Sequence, residues 1–171
     1  YRGVIPLIKE AKDSIDISIF FLTHKNISRE LVRASKRGVS IRVILDATAA
    51  SNGYSKHNYL RDNGIPVKVE NWGGKMHMKS AIIDKKHLIV GSMNWTGAGE
   101  SKNDENTLII KNFKDSPKYQ IFYNLMWNSI PDKWLREDPM PESKDSSTSC
   151  YDGVDNNFDG RIDIKDPNCI N

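Results

Sequence analysis

Val4, Leu7, Ile8 and Ala11 recur at helical spacing, so the chain is predicted to open in an amphipathic helix. Ile15, Ile17, Ile19 and Phe21 then alternate with Asp16 and Ser18, the period of a strand. A second helix is predicted from about Ile27 to Lys36, stopped by Gly38, and a second strand carries Val39, Ile41, Val43 and Leu45 and ends at Asp46. Two strands joined by a helix imply a right-handed parallel crossover. Ala47 to Tyr54 reads as a loop with an Asn52-Gly53 turn; a short helix from Lys56 to Asn63, closed by Gly64, leads to a strand at Ile65 to Val69 and a loop at Trp72-Gly73-Gly74. Strands at His77–Asp84 and His87–Met93, with Lys85-Lys86 between them, make a tight antiparallel hairpin. A strand at Thr107–Lys111 and a helix at Pro117–Asn128, with Ile121, Leu125 and Asn128 on one side, complete the pattern. The expected fold class is α/β, an α/β/α sandwich on a mixed sheet. From Pro139 to Ser149 periodicity stops and the sequence reads as a linker, dividing residues 1–138 from a segment at 150–171. There is no internal repeat.

The 171 residues suffice for one sizeable core plus a small appendage. No apolar run approaches the roughly 18 to 20 residues of a membrane span. The opening Tyr1-Arg2-Gly3-Val4 is neither a signal peptide nor an initiator Met, which points to a chain processed or cut from something longer. Net charge is only +3. From Cys150 onward, however, five Asp stand against Arg161 and Lys165, leaving 23 basic and 17 acidic residues before them. A mildly basic body suits an anionic substrate, and an acidic tail suits a cation. Both cysteines, Cys150 and Cys169, lie in that tail; they are too few for a cysteine-only zinc site and read as one disulfide. Such a staple implies an oxidising compartment, hence a secreted, periplasmic or cell-surface protein.

Candidate chemistry lies in the hairpin. His77 and Lys79 are two residues apart and share a face, as do Ser92 and Asn94 on the next strand. Pairing through Lys85-Lys86 brings an imidazole, an ammonium, a hydroxyl and an amide together, a set suited to phosphate or sulfate. Asp84, an odd number of residues from His77, is expected on the opposite face, away from substrate. A lone strand histidine is most often a satisfied polar residue. The spaced set His77-x-Lys79, Asp84, Gly91-Ser92-x-Asn94 is different, arising by chance at roughly one start in ten million to a hundred million.

These residues, HMKSAIIDKKHLIVGSMN, resemble the phospholipase D superfamily signature His-x-Lys-(x4)-Asp-(x6)-Gly-Ser-x-Asn. SIDISIFFLTH, LVRASKRGVSIRVILD and NGIPVKV are similar to the bacterial single-motif endonuclease branch, and the resemblance covers about residues 4 to 130. It implies a phospholipase D-like fold for residues 1–138, with an N-terminal strand of the family missing, and phosphodiester hydrolysis through a phosphohistidine. It also implies that Lys79, Asn94 and Ser92 hold the non-bridging oxygens, so catalysis needs no metal. Glu105, in the Asn103–Asn106 stretch that matches the family's acidic position, is expected to orient an imidazole; Asp84 and Gly91 complete the motif structurally. That mechanism uses two histidines at one phosphorus, and this chain has one motif. His24, His57 and His87 lack companions and read as structural, so a homodimer or a second motif-bearing half is expected to supply the other histidine.

Asp155 to Asp166 matches a twelve-residue calcium loop: Asp155, Asn157, Asp159, Asp163 and Asp166 offer side-chain oxygens at positions 1, 3, 5, 9 and 12. Arg161 occupies the backbone-carbonyl position, Gly160 the turn and Ile162 the apolar position; Asp166 replaces the usual Glu, and Asp152 is a possible additional ligand. Calcium is expected here as a structural ion, apart from the histidine chemistry. Nucleic acid is the favoured substrate, given the basic body and Lys75, Lys85 and Lys86 near the motif; phospholipid is the alternative. Trp72 and Trp95 suit either a lipid interface or base stacking. A non-catalytic calcium-dependent adhesion module is the third reading, disfavoured by the complete set of His77, Lys79 and Asn94.

Overall fold

A computed structural model describes residues 3–146 and 148–170; Tyr1, Arg2 and Asn171 at the ends, and Ser147 in the expected linker, lie outside the described residues. The chain runs α1 (Val4–Glu10), β1 (Ser14–Ile19), α2 (Lys25–Lys36), β2 (Ser40–Leu45), α3 (Ala47–Ala50), α4 (His57–Asp62) and β3 (Val67–Val69). It continues through β4 (Lys79–Ile83), β5 (His87–Gly91), α5 (Gly97–Ser101), β6 (Thr107–Ile110), α6 (Ser116–Ser129) and, after short 3₁₀ turns, α7 (Pro167–Ile170). One mixed sheet has the order β3-β2-β1-β4-β5-β6. β1, β2 and β3 pair in parallel, and β1–β4, β4–β5 and β5–β6 are antiparallel.

The alternation along the strands decides the two layers. Ile15, Ile17, Ile19 and Val43 meet Val4, Leu7 and Ile8 of α1, Ile27 and Leu31 of α2 and Leu60 of α4 in one core. Ile44, Ile82 and Leu88 meet Tyr123 of α6, with Ile130 and Trp134, in the other. Each such side chain removed from water contributes about 1.5–3 kcal/mol.

The polar face of β1 is buried, not solvated. Asp16 stands opposite Arg42 across the β1–β2 pair, and both carboxylate oxygens take guanidinium N–H groups at 2.8 Å. Arg42 also donates to Asn124, Gln120 donates to Asp16, and the guanidinium lies 4.9 Å over the Tyr123 ring. Polar anchoring therefore sets the rotation of α6. It turns Tyr123 and Trp127 inward and leaves Ile121 and Leu125, 60% and 64% exposed, on the outer face where the spacing suggested a core.

Four local expectations change. Ala47–Ala50 is a helix because Asp46 caps it, its carboxylate accepting from Ala49 N at 3.1 Å. The strand expected from Ile65 begins at Val67, since Pro66 has no N–H to give the ladder. β5 ends at Gly91 rather than Met93. Ile83 pairs with His87, so the turn is three residues, Asp84 to Lys86, with Asp84 and Lys85 at φ near +50°.

The described residues between 139 and 149 form no regular element, but they are not an extended spacer. Glu142 is 0% exposed, and its carboxylate accepts from Asn156 N at 2.6 Å and Asp163 N at 2.5 Å. Ser143, Ser146 and Ser149 are buried and bonded to one another. A polar, Ser-rich stretch folds here because its hydroxyls and one carboxylate satisfy the turns of the tail. Cys150 and Cys169 form the expected disulfide, with Cα atoms 5.6 Å apart. By chain entropy, a closure of this length contributes about 3 kcal/mol.

Candidate active site

The carboxyl ends of β1 and β2, the start of β4, the end of β5 and the start of β6 all lie at one edge of the sheet. Lys79 opens β4, while His77 sits in the last residues of the incoming loop, not within the strand. The two still share a face, because both pack on Phe20: the imidazole centroid lies 4.9 Å from that ring and the Lys79 ammonium 5.1 Å from it. Lys79 Nζ also donates to the His77 carbonyl at 2.7 Å. Phe20, just past β1, escapes the sequence reading because it breaks the alternation of Ile15 to Phe21.

Burial lowers the Lys79 pKa below the ordinary lysine value, against the opposing pull of Glu105 and Asp46. An anion bound beside the ammonium would reverse that shift, so the site favours negative charge.

Across the β4–β5 hairpin, the Ser92 hydroxyl is hydrogen-bonded to Glu105 and accepts from Asn106 N at 3.1 Å. Asn103 Nδ2 donates to Glu105 at 3.1 Å. The Ser92 hydroxyl, then Asn103, then the Lys79 charge hold the exposed Glu105 carboxyl below its usual range. Within one chain, then, Glu105 orients Ser92; the imidazole partner expected for it is not among its bonds. Asn94 Oδ1 accepts from Phe21 N at 3.1 Å, which leaves its amide N–H₂ as the end to offer an anion. Gly91 is needed for the approach of β6: a Cβ there would stand 2.2 Å from the Asn106 carbonyl oxygen.

Asp84 lies at the far end of β4. Its carboxylate accepts from Lys12 N, Asp13 N and Ser14 N at 2.8–3.1 Å and thereby fixes the turn into β1. Burial alone would raise its pKa, but these three N–H groups outweigh it and the carboxyl titrates low. Lys85 and Lys86 sit in the same turn, so they too stand at the opposite end of a five-residue strand from His77. That corrects their placement near the motif. Trp95, 2% exposed, is a core residue and offers no open ring to a base or lipid.

The other histidines have partners of their own. His24 caps α2 and pairs with Glu100 at 2.7 Å; His57 bonds Ser55 and Asp138 at 2.8 Å each; His87 Nδ1 accepts from Asn112 N at 3.2 Å.

Behind the His77 loop lies a buried acid pair that neither spacing nor motif revealed. Asp46 and Glu70 are each 1% exposed, and Glu70 Oε1 accepts from the N–H of Ala47, the residue after Asp46, at 3.3 Å. Burial first, and the neighbouring Asp46 charge, push Glu70 up to about 8 despite N–H bonds from Trp72 and Ala47. Burial raises Asp46 as well. Both shifts favour proton uptake by the pair, which relieves the repulsion between two buried carboxylates.

In the tail, the candidate calcium ligands make local bonds. Asp155 accepts from Asp159 N and Gly160 N, Asn157 from Asp159 N, and Asp159 from Arg161 N. Asp163 accepts from Asp152 N and Gly153 N, and Asp166 from Asn157 Nδ2 and Asn168 N. Gly160 turns at φ +89°. Among the described residues, no three His, Cys, Asp or Glu side chains converge as a metal site. The donor set is that of a hard cation, and occupancy would require several of these carboxylates to turn from the backbone N–H groups toward one point.

Comparison with known proteins agrees with this geometry. The family described as "Cardiolipin synthase, PLD-like domain" matches residues 4–127. A phospholipase D of Rickettsia prowazekii is 32% identical over 118 residues, 69% of this chain and 58% of the relative. A mitochondrial cardiolipin hydrolase of Mus musculus is 38% identical over 101 residues, 59% of this chain and 46% of the relative. The chain thus spans about half the length of these curated relatives. Among solved structures, Nuc, a phospholipase D family member from Salmonella typhimurium, superposes with a TM-score of 0.73 at 31% identity, covering 76% of this chain and 88% of Nuc. NucT from Helicobacter pylori gives 0.72 at 27% identity, with 75% and 87% covered. With the motif residues at one sheet edge and the match running from α1 through most of α6, the chain belongs to the phospholipase D-like family.

Proposed function

We propose that the protein is a phosphodiester hydrolase that works through a phosphohistidine, with nucleic acid as its substrate. The observation that carries the reaction is the shared platform of His77 and Lys79 on Phe20, beside the Ser92–Glu105 pair and the amide of Asn94. A ring nitrogen of His77 attacks phosphorus and the bond to the leaving oxygen breaks. A second imidazole gives that oxygen its proton, then takes one from water, which attacks the phosphohistidine and releases a phosphomonoester with His77 restored. Lys79 and the Asn94 amide, with Ser92, stabilise the charge that builds on the non-bridging oxygens, so no metal takes part. The second imidazole comes from His77 of another copy or from a second motif-bearing half, since His24, His57 and His87 are engaged elsewhere. On this reading Glu105, bonded to Ser92 and Asn103 within one chain, also orients the partner's imidazole.

Nucleic acid is favoured by a basic trench next to the site. A cavity of about 220 Å³ lined by Lys25, Ser28, Arg29, Lys56 and Tyr59 shares Lys25 and Arg29 with one of about 310 Å³ that reaches Thr23, His24 and Gly97. Thr23 N and His24 N both donate to the carbonyl of Trp95, the neighbour of Asn94, so the trench opens beside the motif. Three cations and a half-exposed tyrosine suit successive phosphates and a stacked base. Binding of single-stranded DNA should weaken about 20-fold between 50 and 200 mM salt, as expected for three neutralised phosphates. Replacing Lys25, Arg29 and Lys56 with Met should flatten that slope. Phospholipid is the second reading, supported by the relatives named for phospholipase D and cardiolipin hydrolysis and by the exposed Ile121, Phe122 and Leu125 of α6. Efficient headgroup release from vesicles by a protein that cleaves neither DNA nor RNA would reverse the order.

Residues 155–166 we read as a structural calcium loop, on the strength of its donor types and the turn at Gly160. Calcium at ten times its Kd should raise the unfolding midpoint by a few degrees, corresponding to about 1.4 kcal/mol, and Asp155→Ala should abolish the rise. No binding heat at millimolar calcium would remove the ion from the proposal. The disulfide supports a secreted, periplasmic or cell-surface location; recovery of the protein from the reducing cytosol would contradict it.

A further inference from the structure

The loop that delivers His77 is held by alternate backbone N–H groups, each given to a carboxylate. Glu70 Oε2 accepts from Trp72 N at 2.7 Å, Asp152 Oδ2 from Gly74 N at 2.9 Å, and Asp46 Oδ2 from Met76 N at 2.9 Å. The outer two acceptors directly follow strands of the sheet, Glu70 after β3 and Asp46 after β2, but the middle one comes from the Cys150–Cys169 segment. More contacts join the same pair of elements. Asn71 Nδ2 donates to the Asp145 carbonyl at 3.1 Å, and Lys75 Nζ donates to the Asn156 carbonyl at 2.5 Å and to Thr48 Oγ1 at 2.6 Å while lying 4.7 Å over the Phe158 ring. A Cβ on Gly73 would stand 2.1 Å from Thr148 Oγ1 and 3.0 Å from Asp152 Oδ2, an approach open only to glycine.

Asp152 is itself fixed from behind. Asn156 Nδ2 donates to both of its oxygens, at 3.1 and 3.0 Å, and Asp152 N donates to Asp163 Oδ1 at 3.0 Å. The buried Glu142 accepts from the backbone of Asn156 and of Asp163, and the disulfide closes the segment. The acceptor for Gly74 N is thus set by a stapled network, not by a loose surface carboxylate.

We infer that Asp152 is a positioning residue for His77, and that the stapled C-terminal segment, which lies beyond the family match, serves as a brace for the catalytic loop. The inference rests on the reading of His77 as nucleophile. A reacting group displaced by about 1 Å can lose a hundredfold in rate; a loop that keeps its Glu70 and Asp46 anchors should lose less. Asp152→Ala should therefore lower kcat about tenfold with KM within about twofold, since Asp152 touches no substrate. Asp152→Asn keeps an oxygen able to accept from Gly74 N and should recover most of the loss.

Hydrogen exchange over residues 72–78, measured well below each variant's unfolding midpoint, gives a readout independent of turnover. It should quicken at least about tenfold in Asp152→Ala and stay near wild type in Asp152→Asn. Should Asp152→Ala fail to fold, Lys75→Met cuts a second contact between the same loop and the same segment, its bond to the Asn156 carbonyl, and should also lower kcat and quicken exchange over residues 72–78. Unchanged exchange, or faster exchange with unchanged kcat, overturns the inference. A wild-type protein that hydrolyses no phosphodiester would instead overturn the role of His77, and exchange would still decide whether Asp152 holds the loop.

Discussion

Replacing His77 with Asn should leave a folded protein that hydrolyses a generic phosphodiester more than about a thousandfold more slowly than wild type. His77 is exposed and its ring packs against Phe20, outside the buried core, so the substitution should cost little stability. Asn retains an N–H donor of similar reach, so substrate binding should persist and the loss should appear in kcat. An amide nitrogen cannot form the phosphorus–nitrogen bond, which is why the loss should exceed the roughly hundredfold of a group that only positions or polarises. Turnover of bis-(p-nitrophenyl) phosphate, with the unfolding midpoint as a control, measures it. A variant retaining a tenth of wild-type turnover would show that phosphorus is attacked by some other group.

The second large effect concerns assembly. One chain presents one exposed imidazole at the site, and the proposed mechanism uses two at one phosphorus. If two copies supply them, specific activity should fall on dilution into the range where copies separate, and return on concentration. A mixed pair of one wild-type copy and one His77→Asn copy lacks a histidine at its single centre. A ninefold excess of His77→Asn, equilibrated with wild type, should therefore cut activity to roughly a tenth. Undiminished activity of a monomer at nanomolar concentration, untouched by excess variant, would rule out the shared site. Inactivity at every concentration would point to a missing half in a longer chain. The exposed Ile121, Phe122 and Leu125 of α6 are apolar surface that a partner copy could cover.

Much of the fold is legible along the chain because its signals are local. Ile15, Ile17 and Ile19 read as a strand, and Val4, Leu7 and Ile8 as a helix, since period alone tells which side meets the core. The motif is legible for the same reason: His77-x-Lys79 leads into β4 and Ser92-x-Asn94 follows β5, antiparallel neighbours joined by a short turn, so spacing predicts their convergence at one end of the hairpin. Legibility ends where position depends on a remote partner. Lys85 and Lys86 are near His77 in sequence but a strand's length away in space. Ile121 and Leu125 face outward because the Arg42–Asp16 pair, from two other strands, dictates the rotation of α6.

By itself, then, the sequence determined the α/β class, the convergence of the motif side chains at one end of the sheet and the cysteine pair, all carried by periodicity or by residue types at short separation. Only the tertiary structure decided that Glu70 and Asp46 lie buried together behind the loop that carries His77, that Glu105 bonds Ser92, and that the tail is docked on the body. The physical reason lies in the backbone N–H groups of residues 72–76. A loop half-buried between body and tail must satisfy them, and its acceptors, Asp46 and Asp152, come from about thirty residues before it and nearly eighty after it. A stretch read as a linker and an acidic tail read as an independent cation loop are, in three dimensions, packed against the loop that carries His77.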